Sequence, residues 1–391
     1  MSVFTTRSRI VITCNKRLSP YLEREVVDLG FIPERTFATG IELMGTISDC
    51  IRLNLNLRCA SQVHYSLQEF KVNNPDELYL RVINYPWENL LHVDGYFSVT
   101  SNVSHPTVNT ELFANVKVKD AIVDRFRRQL GKRPDSGPEV DQAVVHLYWK
   151  DDRAEIFIDT SGATLAKHGY RKIPGKAPML EALSTATLMA GKWDRRSPFV
   201  NPMCGSGTMA IEAALLATKR KPGLFRENYA FMHIKEYDEQ VYKTELRKIR
   251  EEVTEVPGIV IYATDISEDA VNISKVNAEI AGVDHMIQFA QCDFGDTPVP
   301  PDVNGVVFFN PEYGERLGEL SELEETYARI GDFMKKNCKG YTGYIFTGNL
   351  DLAKKIGLKA SRRIEFYSAK LDCRLLEYEL YAGTRRKDVE Q

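Results

Sequence analysis

The chain has 391 residues, 43% hydrophobic and 27% charged, an ordinary globular composition with length for two or three domains. Its apolar stretches fall short of the ~20 residues a membrane span needs, and no apolar run follows Arg7 and Arg9, so no secretory leader is expected. Seven scattered cysteines without a Cys-x-x-Cys pair speak against a disulfide framework or zinc ribbon and for a reducing, cytoplasmic compartment, with no metal site expected. Net charge is −3, split as 23 Lys+Arg against 21 Asp+Glu (+2) in residues 1–180 and 28 against 33 (−5) in residues 181–391, so any nucleic-acid contact must come from a local patch.

In chain order, residues 9–14 read as a strand and 20–29 as a helix with Ser19 as its N-cap. Residues 39–43 read as a second strand and 48–57 as a second helix, which makes 1–60 a small α+β unit. Residues 61–160 form a second α+β stretch. There the alternation at 96–101 marks a strand, and 115–131 carry a helical stripe through Val116, Ala121, Ile122, Phe126 and Leu130. Residues 143–148 and 153–158 form a hairpin across Lys150-Asp151-Asp152. Lys117, Lys119, Arg125, Arg127, Arg128, Lys132 and Arg133 crowd one helix and its following loop. Such a stretch either meets RNA phosphates or is a solvated helix face. Lys167, Arg171, Lys172 and Lys176 add a second basic stretch.

From about residue 165 the rhythm becomes strand–helix alternation. Strands are expected at 199–200, 258–263, 286–289, 305–309, 344–347 and 375–381, with a helix from Ser267. The run Gly305-Val306-Val307-Phe308-Phe309 is almost wholly apolar, as inside a parallel sheet covered on both faces. This is the pattern of a doubly wound α/β domain. The charged stretch 236–255 reads as a solvated amphipathic insertion.

Asn201-Pro202-Met203-Cys204-Gly205-Ser206-Gly207-Thr208 lies between a strand and a helix. Its glycines let the turn approach a ligand, and the helix N-terminus offers amide groups; the bland alternative is a tight turn. Asp265 ends the next strand, placed either to accept ribose hydroxyls or to cap the following helix. Asp293 follows the third strand and can accept from an adenine amine or mark a surface turn. No P-loop Lys-Ser/Thr follows the glycines, which argues against a nucleoside triphosphate. A nicotinamide dinucleotide leaves the next motif unexplained.

After the apolar strand comes Asn310-Pro311-Glu312-Tyr313-Gly314-Glu315-Arg316. An exocyclic amine is a poor nucleophile because its lone pair is conjugated into the base ring. The Asn310 side-chain oxygen and Pro311 carbonyl can hold its two hydrogens and aim the lone pair at an electrophilic methyl, so catalysis is mostly orientation. Tyr313 offers a stacking face. The alternative is a simple loop, since Asn-Pro and Tyr-Gly punctuate turns.

Asn-Pro-Met-Cys-Gly-Ser-Gly-Thr, Ile211-Glu212-Ala213-Ala214, Asp265, Asp293 and Asn-Pro-x-Tyr-Gly-Glu-Arg together resemble the bacterial THUMP-domain RNA methyltransferases. Within them the group that methylates guanine N2 in large-subunit ribosomal RNA is the nearest. Residues 159–165, His168-Gly169-Tyr170-Arg171 and Lys176-Ala177-Pro178 are similar to that family's junction between RNA-binding and catalytic parts. The resemblance implies a Rossmann-like methyltransferase domain at 165–391 with a mostly parallel sheet, a ferredoxin-like unit at 1–60 and a THUMP RNA-binding domain at 61–160. It implies S-adenosyl-L-methionine as methyl donor and 23S ribosomal RNA or a large-subunit precursor as partner, with no membrane and no metal. Carried over by position, Pro202, Met203, Cys204, Gly205, Gly207, Thr208, Asp265, Ile266, Asp293 and Phe294 hold the cofactor. Asn310, Pro311 and Tyr313 hold the target base, and Lys117, Lys119, Arg125, Arg128, Lys132 and Arg133 meet RNA. Two positions depart from the family: Asn201 replaces an aspartate, and Glu312 replaces a second proline that would stiffen the loop. An adenine-N6 methyltransferase on DNA or RNA is an alternative. So is a weakened RNA-binding protein that retains the methyltransferase fold.

Overall fold

The computed structural model describes residues 5–175, 178–313 and 320–381. The chain forms two compact units. The first comprises Met1–Asn15, Leu22–Ala166 and Lys221–Glu251; the second comprises Lys16–Tyr21, Lys167–Arg220 and Glu252–Gln391.

The first unit's elements are β1 (Ser8–Thr13), α1 (Ser19–Asp28), β2 (Arg35–Phe37), β3 (Gly40–Gly45), α2 (Ile47–Asn56), β4 (Gln62–Lys71), α3 (Pro75–Ile83), β5 (Tyr96–Ser104), α4 (Glu111–Leu130), β6 (Asp135–Ser136), β7 (Ala143–Lys150) and β8 (Arg153–Asp159). Their strands form one eight-stranded sheet, ordered β2-β3-β1-β4-β8-β7-β5-β6. The two α+β stretches read from sequence therefore share a sheet. Strand β4 joins them: it pairs antiparallel with β1 (Ile10↔Tyr65) on one side and with β8 (Tyr65↔Ile158) on the other. Helix α4 starts at Thr110, whose hydroxyl accepts from the Phe113 N–H, and stops at Gly131, where φ reaches 69°. Ala114, Val118, Ala121, Ile122 and Phe126 are its buried stripe.

In the second unit, α5 (Glu181–Ala190), β9 (Phe199–Pro202) and α6 (Thr208–Ala217) come first. The chain then returns to the first unit through residues 221–251, which end in α7 (Glu239–Glu251). The sequence reading placed this segment in the C-terminal domain as a solvated insertion. Only Ile249 of α7 is buried, so the helix surface is indeed mostly solvated. Its inner side still packs against α2, and Tyr242 lies against Tyr229 and Phe231. A Cβ on Gly223 would meet the Leu55 carbonyl oxygen at 2.6 Å, so only glycine permits this approach to α2. Arg226 donates to the carbonyls of Ala163 and Thr164, each at 2.8 Å.

The remaining elements are β10 (Ile261–Asp265), α8 (Glu268–Ala281), β11 (Ile287–Gln291), β12 (Val306–Phe309), α9 (Leu320–Asn337), β13 (Thr342–Thr347), α10 (Leu350–Lys355), β14 (Arg362–Ser368) and β15 (Leu371–Glu379). The sheet order is β11-β10-β9-β12-β13-β15-β14. Its strands are parallel except β15, which runs antiparallel to β13 and β14. Every residue of β12 is buried, as its unbroken apolar run requires. All of α6 is buried too. Strand order reverses at β9, which has β10 on one side and β12 on the other. In open α/β sheets that switch point is where the crevice for ligands opens, at the carboxyl ends of the strands.

Candidate active site at the switch point

The turn after β9 is tightly wound. Met203, Gly205 and Gly207 take φ values of 56°, 55° and 80°. Met203 bears a left-handed backbone that non-glycine residues hold only where neighbours fix it. Here the Cys204 N–H donates to the Thr264 carbonyl at 2.9 Å, and the Gly205 N–H donates to Asp265 Oδ2 at 2.9 Å. A Cβ on Gly207 would press on Ser274 at 3.0 Å, so glycine lets α6 begin against α8. Ser274 donates to the Gly205 carbonyl at 2.7 Å, and Asn277 to the Ser206 carbonyl at 3.3 Å. Burial pushes the Cys204 thiol up to about 12, which favours its protonated form.

Asp265 closes β10. Oδ1 accepts from the Ser267 N–H at 3.0 Å while Oδ2 holds the glycine turn. Each carboxylate oxygen has a second lone pair for a further donor such as a sugar hydroxyl. Asp265 thus shapes the loop before α8 and keeps acceptor capacity, but it does not cap the helix as the second sequence reading expected. The cap itself is Ser267, whose hydroxyl accepts from the Ala270 N–H. Ile266 beside it is 71% exposed, whereas Phe294 is buried in the core, edge-on to Phe309 and Phe333. Asp293 Oδ1 accepts from the Gly295 N–H at 2.8 Å and from Arg329 at 2.6 Å. The Arg329 hydrogen bond holds the Asp293 carboxyl below its usual range. Any ligand amine at Asp293 therefore shares it with a guanidinium.

Asn310 follows β12 directly. Its side-chain oxygen is buried with no hydrogen-bond partner among the described residues. Pro311 is buried, Tyr313 half-buried and Glu312 exposed, so the charge at the departure from the family pattern lies in water. Asn349 donates to the Tyr313 carbonyl at 3.4 Å, and the Tyr313 ring lies against Gly348. Gly314, Glu315 and Arg316 of the motif fall outside the described residues, as do Lys176 and Ala177.

Sequence reasoning missed the polar core behind the turn. His168 Nδ1 and Glu212 Oε1 are 2.7 Å apart with both side chains fully buried, and Thr185 donates to the other Glu212 oxygen at 2.7 Å. Arg171 donates to Glu181 at 2.8 Å, to Thr208 at 3.0 Å and to the Met179 carbonyl at 2.9 Å. It thereby pins the first residue of α6, and it is spent on that contact rather than open to phosphate. Burial pushes the Glu181 carboxyl up, with Arg171 opposing. The signal for this network was in the sequence as His168-Gly169-Tyr170-Arg171 and Glu212 within an otherwise apolar helix.

The basic stretch of the first unit divides. Lys117 is bonded to Asp76 at 2.9 Å, and Arg125 to Glu88 through two bonds at 3.0 and 2.5 Å. Lys119 lies 3.3 Å from Asp120 and Arg127 3.5 Å from Asp124. Arg128, Lys132 and Arg133 are exposed. Among the described residues no group of three or more His, Cys, Asp or Glu side chains is placed to hold a metal ion, and no helix is long and apolar enough to cross a membrane.

Three family models match in succession: the RlmL ferredoxin-like domain over residues 9–64, the THUMP domain over 72–159 and the RMKL-like methyltransferase domain over 168–377. Ribosomal RNA large subunit methyltransferase K/L of Syntrophotalea carbinolica is 34% identical over 379 residues, which cover 94% of this chain and 53% of that protein. The chain thus spans about half the length of that relative. The crystal structure of SMU.472 complexed with SAH has a TM-score of 0.86 at 26% identity, covering 97% of this chain and 100% of that one. That of a predicted N6-adenine-specific DNA methylase from Listeria monocytogenes has a TM-score of 0.85 at 30% identity, covering 96% and 97%.

Proposed function

This chain belongs to the RMKL-like methyltransferase family, and from that premise we propose that it methylates the exocyclic N2 of a guanine in large-subunit ribosomal RNA, with S-adenosyl-L-methionine as donor. One observation carries the reading: the buried side-chain oxygen of Asn310 at the switch-point edge, which has no hydrogen-bond partner among the described residues. Leaving such an acceptor unmet costs roughly 1–3 kcal/mol, and an amine N–H from a flipped base meets it. The Pro311 carbonyl takes the second hydrogen, and Tyr313 stacks the ring. The residues around the glycine turn fit the cofactor. Asp265 retains lone pairs for the ribose, Ile266 presents an exposed apolar face for the adenine, and the turn's strained backbone is fixed in advance. When bound, that cofactor supplies the electrophilic methyl. The crystallisation of SMU.472 with SAH supports the same choice.

The first unit is proposed to hold the RNA, with Arg128, Lys132 and Arg133 of the basic stretch among its cations. Adenine-N6 methylation is the second reading. It is favoured by the description of the Listeria neighbour and by the indifference of two acceptors to which base carries the amine. Incubation with ribosomal RNA and isotope-labelled cofactor, followed by nucleoside mass spectrometry, decides. Labelled N2-methylguanosine supports the first reading and N6-methyladenosine the second. Absence of label on either RNA or DNA overturns both.

A further inference from the structure

The first unit contains a half-open cavity of about 430 Å³. Its walls come from three places: the start of β5 with the loop before it, the segment from Pro134 to the start of β7, and residues 232–235 of the returning segment. That third wall is firmly seated. Ile234 bridges to Leu91, the Lys235 N–H donates to the Leu90 carbonyl at 2.8 Å, and Lys235 Nζ donates to the Glu88 carbonyl at 2.6 Å. Residues 232–235 lie within the span that matches the methyltransferase family, and 91–143 within the span that matches THUMP, so neither alone builds the cavity.

The lining is mixed. Tyr96 and Met232 bring an aromatic ring and a thioether, while His92, His233 and Gln142 bring two imidazoles and a carboxamide. His233 is engaged, with Nε2 at 2.7 Å from Asn228 Oδ1. The side chains of His92 and Gln142 make no hydrogen bond within the described residues and are free for a ligand. Lys132 and Arg133, both exposed, immediately precede the lining residue Pro134. Asp94 and the engaged Lys235 complete the charged lining, and flat apolar contacts, donor–acceptor groups for a ring edge and cations close by along the chain suit a nucleotide. A concave site of this size cannot admit stacked, paired bases; it can admit one splayed from its strand.

We propose that this cavity binds a single unpaired nucleotide of the RNA, with Lys132 and Arg133 holding the adjoining phosphates. The assignment rests on the RNA reading above and adds a recognition site in a different unit from the switch-point crevice. The test uses the full chain, with fluorescence anisotropy on a labelled single-stranded oligoribonucleotide and on a blunt RNA duplex. Gln142→Ala and His92→Ala should each weaken single-strand binding about tenfold and leave duplex binding within about twofold, because stacking and edge contacts are lost while phosphate contacts stay. Met232→Trp, which fills the cavity, should do the same, and unchanged thermal melting confirms that each variant is folded. Equal losses on both probes, or no loss on either, overturn the cavity assignment and leave RNA binding standing. A wild-type chain that binds neither probe overturns the RNA reading itself.

Discussion

The side-chain amide of Asn201 donates to the backbone carbonyl of Phe308 at 2.9 Å. Strands β9 and β12 pair only through Phe199↔Val306 and Val200↔Val307, so this bond takes over where the ladder ends and the switch-point crevice begins. It needs a donor, which an ionised aspartate lacks. Asn201→Asp should therefore destabilise the chain by roughly 1–3 kcal/mol near pH 8. The loss should shrink at acid pH, where a protonated carboxyl can donate. Paired thermal melts at the two pH values check this. An equal loss at both would show that the bond is not what the amide contributes.

Asp265→Ala removes the acceptor that holds the Gly205 and Ser267 N–H groups as well as the proposed ribose contact. Affinity for S-adenosylhomocysteine should drop by roughly tenfold or more, from ~1.5–3 kcal/mol for bonds to a charged acceptor. Isothermal titration gives the answer directly. Unaltered affinity would relocate the cofactor.

For Asn310→Ala the expectation splits by step. Single-turnover methyl transfer should slow by on the order of a hundredfold, as for other oriented active-site hydrogen bonds, with cofactor affinity unchanged. Full activity would remove Asn310 from the chemistry. Glu312→Pro restores the family pattern without touching an acceptor, so it stiffens the loop and removes one exposed charge. A rise in rate would show that Glu312 slackens the loop, and a fall that its exposed carboxylate contacts RNA.

Arg125→Ala and Lys132→Ala should part company. Arg125 is committed to Glu88, and that hydrogen bond holds the Glu88 carboxyl down and the guanidinium up. Its removal should lower the melting temperature and leave the salt dependence of RNA binding alone. Lys132→Ala should do the reverse, reducing the slope of log K against log salt by about one. Binding measured across a salt series separates them.

His64 and His146 stack inside the first unit with ring centroids 4.4 Å apart, and Thr100 Oγ1 lies 2.9 Å from His146 Nδ1. Burial lowers both imidazoles, His146 from 6.5 to about 4 and His64 well below the usual range. Between those two pH values the unfolded chain takes up protons that the folded chain refuses, so stability falls as pH falls. The His146 share is about 3 kcal/mol. Asp159 in the same unit acts oppositely: burial raises it from 3.8 to about 7, and its contribution is lost as pH rises through that window. The comparison must therefore be between His146→Phe and wild type, where the variant's melting temperature should depend less steeply on pH from 7 down to 4.

What the sequence made legible was local. The glycine turn, Asp265 and the apolar β12 run announce themselves within ten residues each, because backbone sign, strand end and double-sided burial leave marks in composition. Strand β4 was missed because a register shift between Ser66 and Gln68 spoils the alternation and because two of its buried positions are His64 and Tyr65. The basic stretch looked freer than it is because the acids that neutralise it lie 41 residues before Lys117 and 37 before Arg125. No window along the chain displays such pairings. The cavity was invisible for the same reason, since its walls come from residues 91–97, 134–143 and 232–235, and the first and last lie more than a hundred residues apart.

The return of residues 221–251 to the first unit sets an order on synthesis. A nascent chain emerges N-terminus first, and domains commonly fold as they appear. Here the third wall of the nucleotide cavity and the Arg226 clamp on residues 163–164 are made only after β9 and α6 have already been translated. The first unit must therefore wait, with its Leu55 edge uncovered, while part of the second is being made. A fragment ending at residue 165 reproduces that waiting state rather than the finished module.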